Sequence, residues 1–404
     1  MARGDRVAIA DGIGVSAGRV RRARLAVSAG FLIFGMTFAI WAVHIPIIAA
    51  RLSLDPAILG LALLNIGLGG VISQPLTGWL VGRIGSARAT TLFLPLCLAA
   101  VCVPVIAWST PVLFVGTMLL GLAGGAANVA INTQASEIEA LRGKPTMSAF
   151  HGFFSLGALV GAVIGAGIIA AGLGDGRGAI GLAIVLVFVS LAATRYLIPS
   201  PPPKATTAEG TSQRFELPSA SVLFLAVLVF ASNMVEGSVT DWSALYLASV
   251  RGLSDANAAS GFALFQLAMA VCRLGGGPVV AKLGEKNIVL FGGVLMALGM
   301  GVVVLSPFAF VSPFGFALVA IGAANTIPVM MGAASRLPGV TPGAGVAATA
   351  TGALLGFLIG PPIIGFVAQL FGLGVSLGLL SLVGVIIAIG AALHRWPPVG
   401  AAAR

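Results

Sequence analysis

The sequence predicts an all-α polytopic membrane protein whose twelve transmembrane helices form two pseudo-symmetric six-helix bundles. Of its 404 residues, 58% are hydrophobic and only 8% are charged, and the mean hydropathy is +1.08. Soluble globular domains carry about a quarter charged residues, so this chain is not one of them. Apolar runs of roughly 20 residues, each long enough to cross a bilayer as a helix, recur along the chain. The runs are continuous rather than alternating, which excludes an outer-membrane β-barrel.

Charged residues, prolines and glycines divide the chain into twelve apolar spans. The first span begins after Arg24 and is too long for the core of a signal peptide, so we expect it to be retained as a helix. Residues 199–217 are polar and rich in proline, which predicts a cytoplasmic linker. The linker separates an N-terminal bundle, residues 1–198, from a C-terminal bundle, residues 218–404. The predicted spans are 25–50, 56–82, 88–108, 111–140, 145–173, 177–198, 219–249, 255–281, 287–306, 311–335, 343–371 and 373–395.

The basic residues are concentrated at one end of the spans. The formal net charge is +10, and with both termini placed in the cytoplasm the outer loops hold only Arg51, Arg177 and Arg251. Arg273 is the one basic residue predicted inside the core of a span. Basic residues gathered in cytoplasmic loops follow the positive-inside rule, which explains the charge without a nucleic-acid partner. The three cysteines have no paired spacing and predict neither a disulfide framework nor a metal site.

One short pattern occurs twice, 199 residues apart. The sequence GWLVGRIG of residues 78–85 is matched by GPVVAKLG of residues 277–284. Each copy follows a long apolar run and carries one basic residue where the run stops. Other spans match at similar offsets, and spans one and seven pair Trp41 with Trp242 at an offset of 201. Such repeats are typical of transporters built from two related halves. The matching residues are Gly78, Arg83 and Gly85 in the first copy and Gly277, Lys282 and Gly284 in the second.

The first copy of this pattern resembles the signature of a known family. The loop GWLVGRIGSAR is similar to the loop between helices two and three of the major facilitator superfamily, roughly G-x-L-x-D-R-x-G-R-[RK]. Gly82 replaces the aspartate of that signature, and Ser86 replaces the basic residue after its last glycine. In the family the aspartate helps to latch the cytoplasmic side in the outward-open state, so Gly82 removes the carboxylate on which that latch depends. The matching positions are Gly78, Leu80, Arg83 and Gly85.

Three longer stretches resemble a fucose-permease-like bacterial branch of the superfamily. They read ANVAINTQASEIE, SAFHGFFSLGALVGA and VEGSVTDWSALYL. The superfamily resemblance covers essentially the whole chain and implies alternating access, in which two six-helix bundles rock about a central site near the middle of the membrane. We expect a multi-pass, monomeric protein of the bacterial cytoplasmic membrane, with both termini in the cytoplasm as the distribution of basic residues predicts.

Ionisable groups inside spans are the candidates for coupling, because charge in hydrocarbon is costly and needs a partner or a water-filled cavity. Glu236 and Asp241 lie in span seven. Since five positions rotate a helix by roughly 140° beyond a full turn, we expect them on different faces. Either carboxylate could bind and release a proton as access alternates. His151 in span five and His44 in span one are further proton-coupling candidates, since histidine titrates near neutral pH. For each of the four, a structural hydrogen bond between helices is the alternative.

Arg273 and the uncharged polar residues within spans are the candidates for the substrate cavity. Arg273 could bind an anionic or polyhydroxyl solute, or it could neutralise Glu236 or Asp241. Amides, with tryptophan rings as stacking surfaces, would suit a sugar or another polar uncharged solute. Interhelical hydrogen bonding and anchoring at the membrane interface are the structural alternatives. Besides Arg273, the candidates are Trp41, Asn128, Asn132, Asn233, Trp242, Gln266 and Asn325.

We expect a secondary transporter rather than an enzyme. The sequence holds no Walker A pattern to bind ATP phosphates, no catalytic triad and no metal-ligand cluster. We therefore expect no cofactor, with the proton as the coupling ion, and proton-coupled symport of a sugar-like or other small polar solute. The alternatives are a drug or metabolite/proton antiporter and a non-transporting membrane sensor. The expected partners are the solute and the lipid bilayer, without nucleic acid.

Overall fold

The computed structural model contains twelve helices, among the residues it describes, that are long and apolar enough to cross a membrane. The prediction of an all-α protein with twelve such helices is confirmed. Helices dominate because, in lipid, every backbone polar group must find its partner within the chain. The predicted linker, 199–217, lies outside the described residues apart from Pro199. The described residues are 6–7, 15–143, 146–199, 219–338, 340 and 342–397.

Most helices begin and end within a few residues of the predicted spans. The first begins at Ala17 rather than at 25, so it includes the basic residues that precede the apolar run. Predicted span 311–335 is broken, because one helix ends at Ala323 and the next begins at Thr326; together they form one of the twelve membrane-crossing segments. The elements are β1 (Arg6–Val7) and β2 (Val15–Ser16), which pair antiparallel, then α1 (Ala17–Arg51), α2 (Pro56–Ile84), α3 (Ser86–Val105), α4 (Thr110–Arg142), α5 (Met147–Ile168), a π-helix (Ile169–Leu173), α6 (Arg177–Thr194), α7 (Ala220–Ser249), α8 (Asp255–Leu283), α9 (Glu285–Leu305), a 3₁₀-helix (Ala309–Val311), α10 (Ser312–Ala323), α11 (Thr326–Ala334), α12 (Pro342–Phe371) and α13 (Leu373–Leu393).

Local sequence explains where several helices start and stop. The hydroxyl group of Ser219 accepts a hydrogen bond from the backbone at the start of α7, and Ser254 does the same for α8. These are N-caps, which satisfy amides that lack a partner within the helix. At the other end, Gly143 closes α4 in the left-handed conformation that glycine adopts without strain.

The chain divides into two compact units. Unit 1 comprises Met1–His44 and Asn65–Thr207, and unit 2 comprises Ile45–Leu64 and Ala208–Arg404. The end of α1 and the start of α2 therefore belong to unit 2, although the rest of both helices belongs to unit 1.

In unit 1, a stripe of glycines on α5 lets that helix lie directly against α1. Backbones in a membrane approach closely where side chains are absent. The glycines recur every four residues, about one helical turn. A side chain added at any of them would collide with α1. The contacts are Gly157 with Leu32, Gly161 with Met36, and Gly165 with Val43.

Unit 2 repeats this packing with α12 against α7. Two of its contacts match two contacts of unit 1 after a shift of 199 residues for the glycine and 198 for its partner. The pairing of Trp41 with Trp242 at an offset of 201 stays a prediction. The contacts are Gly352 with Ala226, Gly356 with Phe230, and Gly360 with Met234.

Candidate coupling and substrate site

An ion pair joins α7 to α8 in unit 2. Arg273 Nη2 donates to Glu236 Oε1 at 2.9 Å and to Glu236 Oε2 at 3.1 Å. The side chain of Arg273 is 20% exposed and that of Glu236 is 19% exposed, so both are mostly buried. Opposite charges placed together offset much of the cost of holding either one alone inside a membrane. The sequence left open which acid Arg273 neutralises, and the structure pairs it with Glu236.

The ion pair lies beside the break between α10 and α11. Arg273 Nε is 3.5 Å from the carbonyl oxygen of Ala324. Asn325 Nδ2 donates to the carbonyl oxygen of Cys272 at 3.2 Å, and its side chain occupies the space that a side chain at Gly276 would need. A break in a transmembrane helix leaves backbone groups without their helical partners, and such a break is tolerated where other groups compensate. The break therefore brings the Asn325 amide alongside the arginine.

Other polar groups of α7 and α8 lie near the pair along their helices. Asn233, one turn before the glutamate, donates to the carbonyl oxygen of Ala353 on α12 at 2.5 Å. Thr240, one turn after the glutamate, donates to its backbone carbonyl oxygen at 2.8 Å. Gln266 is buried on α8, two turns before the arginine. The ion pair is thus accompanied by three amides and a hydroxyl group.

Asp241 lies apart from the ion pair, in the C-terminal part of α7. It is buried, with 8% of its surface exposed, and has no hydrogen-bond or ion-pair partner among the described residues. The Nε1 of its neighbour Trp242 also lacks a partner in the described part of the chain, as do the hydroxyl groups of Ser238 and Ser243. This stretch of α7 is therefore a second polar site, separate from the pair.

The amide and histidine candidates on α4 and α5 of unit 1 differ in environment. Asn132 Nδ2 donates to Asn128 Oδ1 at 2.7 Å, so these two amides partly satisfy each other. His151 is exposed, and its ring meets that of Phe31 edge-on with 5.4 Å between centroids. The two asparagines are positioned on one face of α4, as their four-residue spacing requires.

The candidates on α1 are both buried. His44 Nδ1 lies 2.7 Å from the carbonyl oxygen of Ile40, one turn earlier, which orients the imidazole ring. Trp41 is buried, and its Nε1 has no hydrogen-bond partner within the described ranges. The helix thus carries two hydrogen-bonding rings in its buried part.

The two copies of the repeated loop have the same backbone conformation. Gly85 has φ 84° and ψ 152°, and Gly284 has φ 77° and ψ 161°. A positive φ of this kind favours glycine. In each copy the glycine N–H closes the preceding helix with a 2.9 Å hydrogen bond, to Val81 in unit 1 and to Val280 in unit 2. The two glycines are 199 residues apart, and so are the two valines, which is the offset found in the sequence.

The remaining residues of the repeat face open space. A side chain added at Gly78 or Gly277 would meet no neighbouring described atom within 4 Å. Lys282 is exposed. Arg83 is exposed as well, and its guanidinium carbon lies 3.8 Å from the ring centre of Trp79, a cation–π contact within the same helix.

The residue after each repeated glycine makes an equivalent contact, which sequence reasoning missed. In unit 1, Ser86 Oγ donates to Glu137 Oε2 on α4 at 2.7 Å. In unit 2, Arg336, just beyond α11, donates to Glu285 Oε1. Ser86 and Glu285 are 199 residues apart, and so are Glu137 and Arg336. Extending the offset one position past each glycine would have located this contact, which ties the loop to a neighbouring helix end in each unit.

A family model described as Major Facilitator Superfamily matches residues 26–339. The chain belongs to the major facilitator superfamily. An uncharacterised MFS-type transporter of Yersinia pestis is 33% identical over 362 residues, which cover 89% of this chain and 93% of the relative. The membrane protein MosC of Rhizobium meliloti is 31% identical over 364 residues, which cover 90% of this chain and 88% of MosC.

Solved structures of other transporters share the fold. A mutant of the nucleoside transporter NupG aligns with a TM-score of 0.74 at 12% identity, covering 92% of this chain and 99% of that one. A bacterial homologue of the human lysosomal transporter Spinster aligns with a TM-score of 0.72 at 15% identity, covering 95% and 100%. The superfamily prediction is confirmed, and this member is a secondary transporter of a small solute. The fucose-permease-like branch and the proton as coupling ion stay predictions.

Proposed function

We propose that this transporter couples proton movement to symport of a sugar-like or other small polar solute, with Glu236 as the proton carrier. The observation that carries the proposal is the Glu236–Arg273 ion pair, whose two hydrogen bonds measure 2.9 and 3.1 Å. Both side chains are about one-fifth exposed, and we assign that exposed part to the transport cavity, where a proton reaches the carboxylate and a solute reaches the guanidinium group.

The ion pair provides a two-state element in which binding of the proton and binding of the solute favour each other. A proton on Glu236 removes its charge and releases the donors of Arg273 for the oxygens of a solute. A solute that occupies those donors leaves the carboxylate without its cation, which favours uptake of the proton. Such mutual dependence is reciprocal by thermodynamic linkage, and it is what a symporter requires.

The groups near the pair favour a solute rich in hydroxyl groups. Asn233, Gln266 and Asn325 supply amides that can donate and accept hydrogen bonds, and the arginine supplies a planar set of donors. Together they match a ring of hydroxyl groups better than they match an apolar compound. An apolar drug would leave these polar groups without partners, which is costly in a desolvated site.

Proteoliposomes with a pH-sensitive dye in the lumen test the proposal. Without an imposed gradient, an external solute from a panel of neutral sugars, polyols and nucleosides should acidify the lumen. An imposed pH gradient should then drive that solute to accumulate. Glu236→Gln should abolish both effects and reduce the accumulation ratio to about one, while exchange of labelled for unlabelled solute continues, because the amide keeps the shape but carries no proton.

Asp255→Asn is the matched control, since it removes an exposed carboxylate from the first turn of α8 and should leave accumulation unchanged. Uphill accumulation by Glu236→Gln at the native level would refute its role as proton carrier. Alkalinisation of the lumen on addition of the solute would instead establish antiport.

We also propose that both termini face the cytoplasm of a bacterial cell. The distribution of Lys and Arg between the two ends of the spans supports this orientation, and the relatives named above come from bacteria. A membrane-impermeant maleimide should label a cysteine added at either terminus only after the cells are permeabilised. Labelling of intact cells would reverse the orientation.

A further inference from the structure

A cleft of about 490 Å³ opens between the start of α1 and the end of α6 in unit 1. One end is polar, with the guanidinium group of Arg22 and the ring of Tyr196. The rest is apolar and is lined mainly by alanines. We call this the α1–α6 cleft, and its lining residues are Arg22, Leu25, Ala26, Ala29, Ala193 and Tyr196.

Local sequence explains the shape of the cleft. Arg22, Ala26 and Ala29 are spaced by four and three residues, so they share one face of α1. The short alanine side chains leave a trough along that face below the arginine. After α6 ends, Leu197 and Ile198 are buried in the same core cluster as the first turns of α1. These two anchors fix the preceding tyrosine beside α1.

The described residues around the polar end of the cleft in the sequence are strongly basic. Four arginines lie in the first turns of α1, and its first turn holds no acidic residue. A helix N-terminus is itself partly positive, so cations are unfavourable there unless an anion is bound. None of these arginines, nor the one at the end of α6, has an acidic partner among the described residues. The five residues are Arg19, Arg21, Arg22, Arg24 and Arg195.

We propose that the α1–α6 cleft binds one anionic phospholipid, with its phosphate on Arg22 and an acyl chain in the alanine trough. Basic pockets between transmembrane helices bind anionic headgroups, and the planar guanidinium group suits phosphate. The apolar trough distinguishes a lipid from free phosphate, which would make no use of it. Leu25, at the rim, is 55% exposed and so presents further apolar surface to an acyl chain. Tyr196 has the amphipathic ring that is common where headgroups meet hydrocarbon.

Native mass spectrometry of the purified protein, in detergent with defined added lipid, tests the proposal. The protein should retain one phosphatidylglycerol in preference to phosphatidylcholine. Arg22→Gln should weaken that retention about five-fold, the effect expected for one surface cation acting on an anionic lipid. Lys286→Gln is the charge-matched control, because it removes an exposed cation at the start of α9 and should leave retention unchanged.

A second pair of variants tests the trough separately from the charge. Ala193→Leu fills the cleft and should reduce retention of phosphatidylglycerol, whereas Ala192→Leu, at the exposed neighbouring position, should not. Melting temperatures measured without added lipid establish that each variant is folded. Equal retention of phosphatidylcholine, or equal effects of the two members of either variant pair, would overturn the proposal. Displacement of the lipid by glycerophosphoglycerol, which has no acyl chains, at the same concentration would also overturn it, because the trough would then play no part.

Discussion

The ion pair between Arg273 and Glu236 can be removed one residue at a time, with the stability of the protein measured after each substitution. Arg273→Gln leaves the Glu236 carboxylate sheltered without its cation, and we expect the free energy of unfolding to fall by about 1–3 kcal/mol, as for a buried group left unsatisfied. Adding Glu236→Gln to this variant leaves two neutral amides, so the double variant should regain most of the loss. Thermal unfolding in detergent, followed by tryptophan fluorescence, measures both effects.

An exposed ion pair of the same chain supplies the control for this cycle. Arg177 Nε lies 2.7 Å from Asp175 Oδ2, but the two side chains are 73% and 51% exposed. Because water already solvates these charges, Arg177→Gln should change stability by only about 0–1 kcal/mol. If the double variant at Arg273 and Glu236 were no more stable than Arg273→Gln alone, the pair would not be the source of the loss.

The packing of α7 against α12 depends on single glycines, which gives a prediction about these elements. A Cβ atom at Gly356 would collide with the backbone carbonyl oxygen of Phe230, a group that cannot move without shifting α7. We expect Gly356→Ala to reduce the free energy of unfolding by about 1–3 kcal/mol, as other overpacked sites do. The same thermal unfolding measurement detects it.

Gly301 on α9 supplies a matched control, for which we expect the free energy of unfolding to change in the opposite direction. It also lies inside a helix, but a Cβ atom there would meet no described neighbour within 4 Å. Gly301→Ala should therefore stabilise the protein by up to about 1 kcal/mol, because alanine has the higher helix propensity. Equal effects of the two substitutions would mean that helix propensity, rather than close approach, determines the result at Gly356.

For the molecule as a whole, the sequence predicts features that repeat or that depend on neighbouring residues alone. The twelve spans follow from apolar runs, and the matching conformations of Gly85 and Gly284 follow from the repeated pattern around them. The break at Asn325 could not be predicted, because one amide in an apolar run does not stop a helix. The break depends on contacts with α8, where Asn325 bonds to Cys272 and fills the space beside Gly276.

The candidate site was predicted as a set of residues but not as an arrangement. Glu236, Asp241 and Arg273 stand out as charges within apolar spans, yet spacing along each helix does not say which face of α7 meets α8. Only the packing decides that Arg273 meets Glu236 and that Asp241 has no described partner.

The duplication predicts that one unit can be given the chemistry of the other. Ser86→Glu would place a carboxylate against Glu137 in unit 1, and the like charges should lower the melting temperature by several degrees. Adding Glu137→Arg creates the arrangement of Glu285 and Arg336 in unit 2, so the double variant should recover most of that loss. Glu137→Arg alone, which leaves Ser86 facing a guanidinium group, completes the cycle and separates the pairwise term from the two single changes. A double variant no more stable than Ser86→Glu would mean that the two contacts are equivalent in position but not in geometry.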